Sequence, residues 1–99
     1  MKVSELSGIA LDWAVAKCES DKAYADYCFK VVDQYGQPRY STDWAQGGQI
    51  IERERIAWGD TGKYFVCGKY RGDTPLIAAM RYYVASKLGD EIDIPKELL

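Results

Sequence analysis

The chain has 99 residues, the length of one domain with a single core that needs no covalent staples. Its 13 basic and 15 acidic side chains give a net charge of −2 and a pI near 5.1, which argues against nucleic acid as a partner, because phosphate contacts normally supply most of that affinity. There is no histidine, so the Ser-His-Asp and Cys-His nucleophiles and the paired-histidine zinc sites are all excluded.

The first predicted element is a helix over Ser4 to Cys18, with Leu6, Ile9, Ala10, Trp13 and Ala14 recurring on one face. Ser4 or Ser7 can cap its start, and Asp12 and Lys17 are free to point to water. After a polar break at 19–22, Tyr27 to Val32 is rich in β-formers and reads as a strand. Lys22 to Asp26 also tolerates a helix, so a looser alternative has 22–35 helical. Residues 33–38 carry turn chemistry, with Gly36 and Pro38 as punctuators.

Tyr40 to Arg55, YSTDWAQGGQIIERER, is the most unusual stretch. Ser41 or Thr42 can cap a short helix within 42–52, with Asp43 in its first turn. Gly47 and Gly48 fall where that helix would continue, at about 1 kcal/mol each relative to alanine. Either the helix breaks there, or something approaches its backbone too closely for a side chain. Glu52, Arg53, Glu54 and Arg55 alternate in sign and read as solvated. Ile56 to Trp58 and Tyr64 to Tyr70 read as the arms of a β-hairpin around the Gly-rich turn 59–63. Thr74 to Leu88 is the clearest helix: Thr74 at the N-cap, Pro75 at the first position, Ile77, Met80, Val84 and Leu88 along one face, and Gly89 at the stop. Ile92 and Ile94 alternate with acids and predict a short edge strand before Pro95. The fold class that results is α+β: an antiparallel sheet of three to four strands packed against an N-terminal and a C-terminal helix, plus the short helix in 42–52, in one domain spanning 1–99.

Cys18, Cys28 and Cys67 have no metal-type spacing and read as reduced core thiols. No apolar run reaches the roughly 18 residues of a membrane span. No cofactor motif is present. AQGGQ has no preceding strand and no lysine to reach a phosphate, so it is a poor phosphate loop. Carboxylate pairs such as Asp43 with Glu52 or Glu54 read as surface charge. A non-catalytic binding module is therefore favoured over an enzyme. Its candidate ligand site is Thr42, Asp43, Trp44, Gln46, Gly47 and Gly48 with Arg53 and Arg55, a tryptophan beside hydrogen-bonding side chains and bare backbone. The competing reading makes Trp44 a core anchor and the glycines a helix-packing device.

STDWAQGGQIIERE at 41–54 resembles the signature of the phage NinX-like proteins, a family of unknown function in tailed phages and enterobacterial prophages. SGIALDWAVAKCE (7–19) and TPLIAAMRYYVASKLGDEIDIPKEL (74–98) are similar to it as well. The sequence departs from that pattern at Gln49, where proline is usual, which restores a backbone donor. The resemblance implies an accessory protein acting in the cytoplasm of the infected bacterial host, and it brings no catalytic residues. Two roles fit. The first is sequestration of a small polar or nucleotide-like ligand, such as a host immune signal, by a homo-oligomer with sites at its junctions. The second is an inhibitor or adaptor that docks on a host protein through surface tyrosines and the acidic tail Asp90, Glu91 and Asp93.

Overall fold

In the computed structural model, which describes residues 1–32 and 36–99, helix α1 runs Gly8–Glu19 and is buried without a break from Ala10 to Ala16. A helix buried on all sides has no amphipathic stripe to read. This corrects the expected face: Ile9 is exposed, while Leu11 and Val15 are interior. The helix also starts later than expected, after a separate 3-10 turn at Val3–Glu5. Asp12 does not point to water. It is buried, and its Oδ1 accepts the Ser41 N–H at 2.8 Å. Burial raises its carboxyl above the ordinary value, opposed by hydrogen bonding from Ser41 and by the charge of Arg39.

Residues 27–32 are not a strand. Helix α2, Lys22–Asp26, runs on into a π-helical turn, Tyr27–Val31, whose last N–H, from Val32, reaches the Tyr27 carbonyl at 3.0 Å. Asp21 caps α2 by accepting the Tyr24 N–H at 2.8 Å. Ala25, Cys28 and Phe29 then fall on one face at helical spacing, and all three are buried. Strand propensity depends on context, and here packing against α1 decides. The Trp13 indole N–H fastens the two helices by donating to Asp26 Oδ1 at 3.1 Å. Of the predicted turn at 33–38, residues 33–35 lie outside the described residues.

Helix α3, Trp44–Glu54, passes through both glycines without a break. It is capped by Asp43 rather than by Ser41 or Thr42, and it ends at Arg55 in the left-handed region at φ 54°. The sheet has three antiparallel strands in sequence order: β1 Gly59–Asp60, β2 Phe65–Cys67 and β3 Tyr70–Gly72. The expected single hairpin is thus shifted along the chain, and its second arm splits in two. Gly68, at φ 57°, turns the chain between β2 and β3, where Tyr64 to Tyr70 had read as one strand.

Helix α4, Pro75–Leu88, carries the sheet on one side and meets α1 and α3. Thr74 Oγ1 accepts the Ile77 N–H at 3.1 Å, as its position predicts. Leu76, Met80, Tyr83 and Val84 are buried. Arg81 ties the N-terminal segment to the sheet by donating to the Leu6 carbonyl at 2.8 Å and the Arg71 carbonyl at 2.6 Å. The tail forms no edge strand of the sheet. It pairs with the N-terminus instead, through one bridge between Lys2 and Glu91, and buries Ile92.

The Asp12–Ser41 bond joins the centre of the molecule to the chain entering α3. Replacing Asp12 by alanine leaves a buried N–H without an acceptor, and the expected loss is about 1.5–3 kcal/mol in chemical denaturation. Asp12→Asn retains an acceptor without the buried charge and is expected to recover at least half of that loss. Equal losses for the two variants would show that the hydrogen bond is not what matters.

Candidate functional site

The TDWAQGG string first of all builds and seats a helix. Asp43 Oδ1 accepts the Ala45 N–H at 2.8 Å, and Asp43 Oδ2 accepts from Gln46 Nε2 at 3.2 Å. Gln46 Oε1 in turn accepts the Arg39 N–H at 2.8 Å. The side chains of the cap and the third helical residue thus tie the helix start to the incoming chain, a variant of the capping box. Thr42 is exposed, and its N–H donates to the Arg39 carbonyl at 3.2 Å.

The two glycines do different jobs. A Cβ on Gly47 would lie 2.1 Å from the Tyr40 carbonyl oxygen and 2.7 Å from Leu76 Cδ2. Backbone and α4 therefore press directly on the helix at this residue. A Cβ on Gly48 would meet only the Trp44 ring, at 3.2 Å. Trp44 is half-exposed and lies along Gly48 on the outer side of α3, so it is not a core anchor.

One flank of α3 borders a polar cavity of about 470 Å³. Ala45, Gln46, Gln49, Ile50 and Arg53 supply one wall, and Glu19, Tyr24, Tyr40 and the 36–38 segment supply the rest. Of the eight residues singled out from sequence, Gln46 and Arg53 therefore line this cavity, and Gly47 seats the helix that forms its wall. Thr42, Asp43, Trp44, Gly48 and Arg55 are not among its lining residues. Sequence reading missed Glu19, Tyr24, Tyr40 and Gln49. Gln49 lay within the singled-out string; Tyr24 and Tyr40 could be found only once the segments on either side of 33–35 had been placed.

Arg53 is exposed, as the alternating charges implied, but its guanidinium is engaged in side-chain contacts on one side. Its guanidinium grips Glu19 with two bonds, of 3.0 and 2.6 Å, and also donates to Glu54 at 3.0 Å and to the Tyr83 hydroxyl at 3.1 Å. Burial would raise the Glu19 carboxyl, but hydrogen bonds from Arg53 and Tyr83 hold it below its usual value. Lys87 of α4 reaches Glu54 at 3.4 Å, so the cluster ties the ends of α1, α3 and α4 together. Burial, then the hydrogen bond to Tyr24, pushes the Tyr40 phenol well above its ordinary value. Tyr24 is also raised, first by hydrogen bonding with Cys28 and against the effect of Tyr40. Both phenols stay neutral near pH 7. Burial pushes the Cys18 thiol up to about 12 and the Cys67 thiol up to about 11, which keeps both as unreactive thiols. Among the described residues, no group of three or more Cys, Asp and Glu side chains could hold a metal ion, and no helix is long and apolar enough to cross a membrane.

A family profile described as Bacteriophage P22, NinX matches residues 2–87. The chain belongs to the NinX family. No curated protein matches it. The NinX match takes in all three named strands, nearly all of α4 and every lining residue of the cavity, so the cavity lies wholly inside the family's own segment.

The contrast between the glycines is testable by thermal unfolding. Gly47→Ala forces apart the α3–Tyr40–Leu76 contact and is expected to cost at least about 2 kcal/mol, or roughly 8–16 °C in Tm. Gly48→Ala needs only a small movement of the half-exposed Trp44 ring and gains helix propensity of up to about 1 kcal/mol, so its Tm is expected to rise. An unchanged Tm for Gly47→Ala would contradict the close approach at that residue, and a fall for Gly48→Ala would show that the Trp44 ring does not give way.

Proposed function

We propose that this NinX-family protein is a non-catalytic binding module whose polar cavity beside α3 sequesters a small, hydrophilic, ring-bearing ligand. In the phage setting, the reading is capture of a nucleotide-derived host signal in the cytoplasm of the infected cell. The observation that carries it is the cavity itself. Its volume of about 470 Å³ falls within the roughly 300–1,000 Å³ of small-molecule sites. Its walls offer hydrogen-bonding groups of fixed placement: Gln46 held by Asp43 and Arg39, Arg53 held by Glu19 and Glu54, and two neutral phenols. Pre-placed polar groups reduce the ordering cost of binding. The neutral Cys18 and Cys67 thiols and the lack of histidine fit binding better than chemistry.

Native mass spectrometry of the protein purified gently from phage-infected cells tests this. The expected result is a reproducible small-molecule adduct, with any oligomer visible in the same spectrum. Gln49→Ala is expected to lose the adduct, because Gln49 lines the cavity, whereas Trp44→Ala keeps it. Protein that carries no adduct in any preparation contradicts the reading.

A second reading, an adaptor that docks on a host protein, is favoured by a separate observation: Trp44 stands half-exposed on the outer side of α3 with its ring against Gly48. Tryptophan is enriched among interface anchors. Under that reading the outcomes reverse, and Trp44→Ala abolishes stoichiometric capture of a partner while Gln49→Ala does not.

A further inference from the structure

Resting on the binding-module reading, we infer that the cavity recognises the uncharged heterocyclic part of its ligand, a nucleobase-like ring of the nucleoside class, and leaves any phosphate groups in solvent. The charged groups on its described walls, Glu19 and Arg53, cancel and are bonded to each other. Four of the five guanidinium N–H groups are taken up by Glu19, Glu54 and Tyr83. A phosphate arriving at Arg53 would have to displace Glu19 and would still face Glu54. The other anion site near this wall, the N-terminus of α3, is filled by the Asp43 carboxylate, which accepts the Ala45 N–H at 2.8 Å. Both of these places are therefore occupied by carboxylates of the chain itself.

The hydrogen-bonding capacity that remains is neutral. Gln49 Nε2 spends one N–H on the Ala45 carbonyl at 2.7 Å, which leaves its Oε1 and a second N–H. A carboxamide offering both a donor and an acceptor matches the paired acceptor and donor on the edge of a base, the pairing by which glutamine reads adenine. Tyr24 and Tyr40 add phenol oxygens that can accept, their own O–H groups being engaged with Cys28 and with Tyr24 respectively. Ile50, buried at the base of the same wall, supplies apolar contact for a ring.

Isothermal titration of the full chain with adenosine, guanosine, cytidine and uridine, with their mono- and triphosphates, and with inorganic phosphate and tripolyphosphate tests the inference. At least one nucleoside is expected to bind with a Kd within about threefold of its own phosphates. That Kd is expected to hold between about 50 and about 300 mM salt, as binding without phosphate contacts should. Inorganic phosphate and tripolyphosphate are expected not to bind. Gln49→Ala, on an exposed helical position where alanine favours the fold, is expected to weaken the nucleoside about tenfold or more. A triphosphate that binds at least about tenfold tighter than its nucleoside and weakens with salt overturns the inference while leaving the cavity as a ligand site. Binding by none of the nucleosides also overturns it. In that case an adduct of another chemical class in the native spectrum preserves the broader reading, and bare protein removes both.

Discussion

The contact on which the site depends is the approach of the Tyr40 carbonyl to Gly47. A backbone oxygen and the Leu76 side chain occupy the space that any Cβ at this residue would need. The helix can therefore lie against the chain that enters it and against α4 at once. Helix α3 then carries Gln49, Ile50 and Arg53 on one side, with Tyr24 and Tyr40 across the cavity, and Trp44 on another. The Asp12–Ser41 bond fixes the same entering segment from the interior, one residue beyond Tyr40. Two short-range constraints, a missing side chain and one buried hydrogen bond, set where the cavity wall stands.

At the far end of α3 the constraint is electrostatic. Arg53 joins Glu19 of α1, Glu54 of its own helix and Tyr83 of α4, with Lys87 closing the cluster. Exposed ion pairs contribute little singly. This arrangement differs because one guanidinium is shared by groups from three helices, which fixes direction as well as distance. The same arrangement places two carboxylates around the arginine of that wall. The positive charge is balanced where it holds the helices, and the other polar side chains lining the cavity are amides and phenols.

Much of the fold was legible where local chemistry is unambiguous. Thr74, Pro75 and Gly89 bound α4 as their cap preferences dictate, and the α+β class with its antiparallel sheet follows from the same kind of reading. Legibility failed where tertiary packing outweighs propensity. The β-formers of Tyr27 to Val31 wind into a helical turn because Ala25, Cys28 and Phe29 share a face against α1; the Asp21 cap was the available signal. The buried state of Asp12 could not be read, because its partner is a backbone N–H 29 residues away. The string at 41–54 was singled out as a unit, but its residues divide by role. Gln46 and Arg53 face the cavity, Asp43 caps, Gly47 seats and Trp44 faces outward. Helical phase decides that division, and both glycines had made the helix itself doubtful. Membership of the NinX family, matched over residues 2–87, agrees with the resemblance carried by the same string.

The central claim is that the Gly47 seat positions α3 and with it the cavity wall. Amide hydrogen exchange of the wild-type chain and of Gly47→Ala, compared residue by residue under native conditions, tests it most directly. The account predicts that the variant loses protection through α3 and at the entering segment 40–43, while the interior of α1 and the α4–sheet unit keep theirs. Wild-type protection throughout α3 in the Gly47→Ala chain would contradict it, because the helix would then hold its place without the close approach.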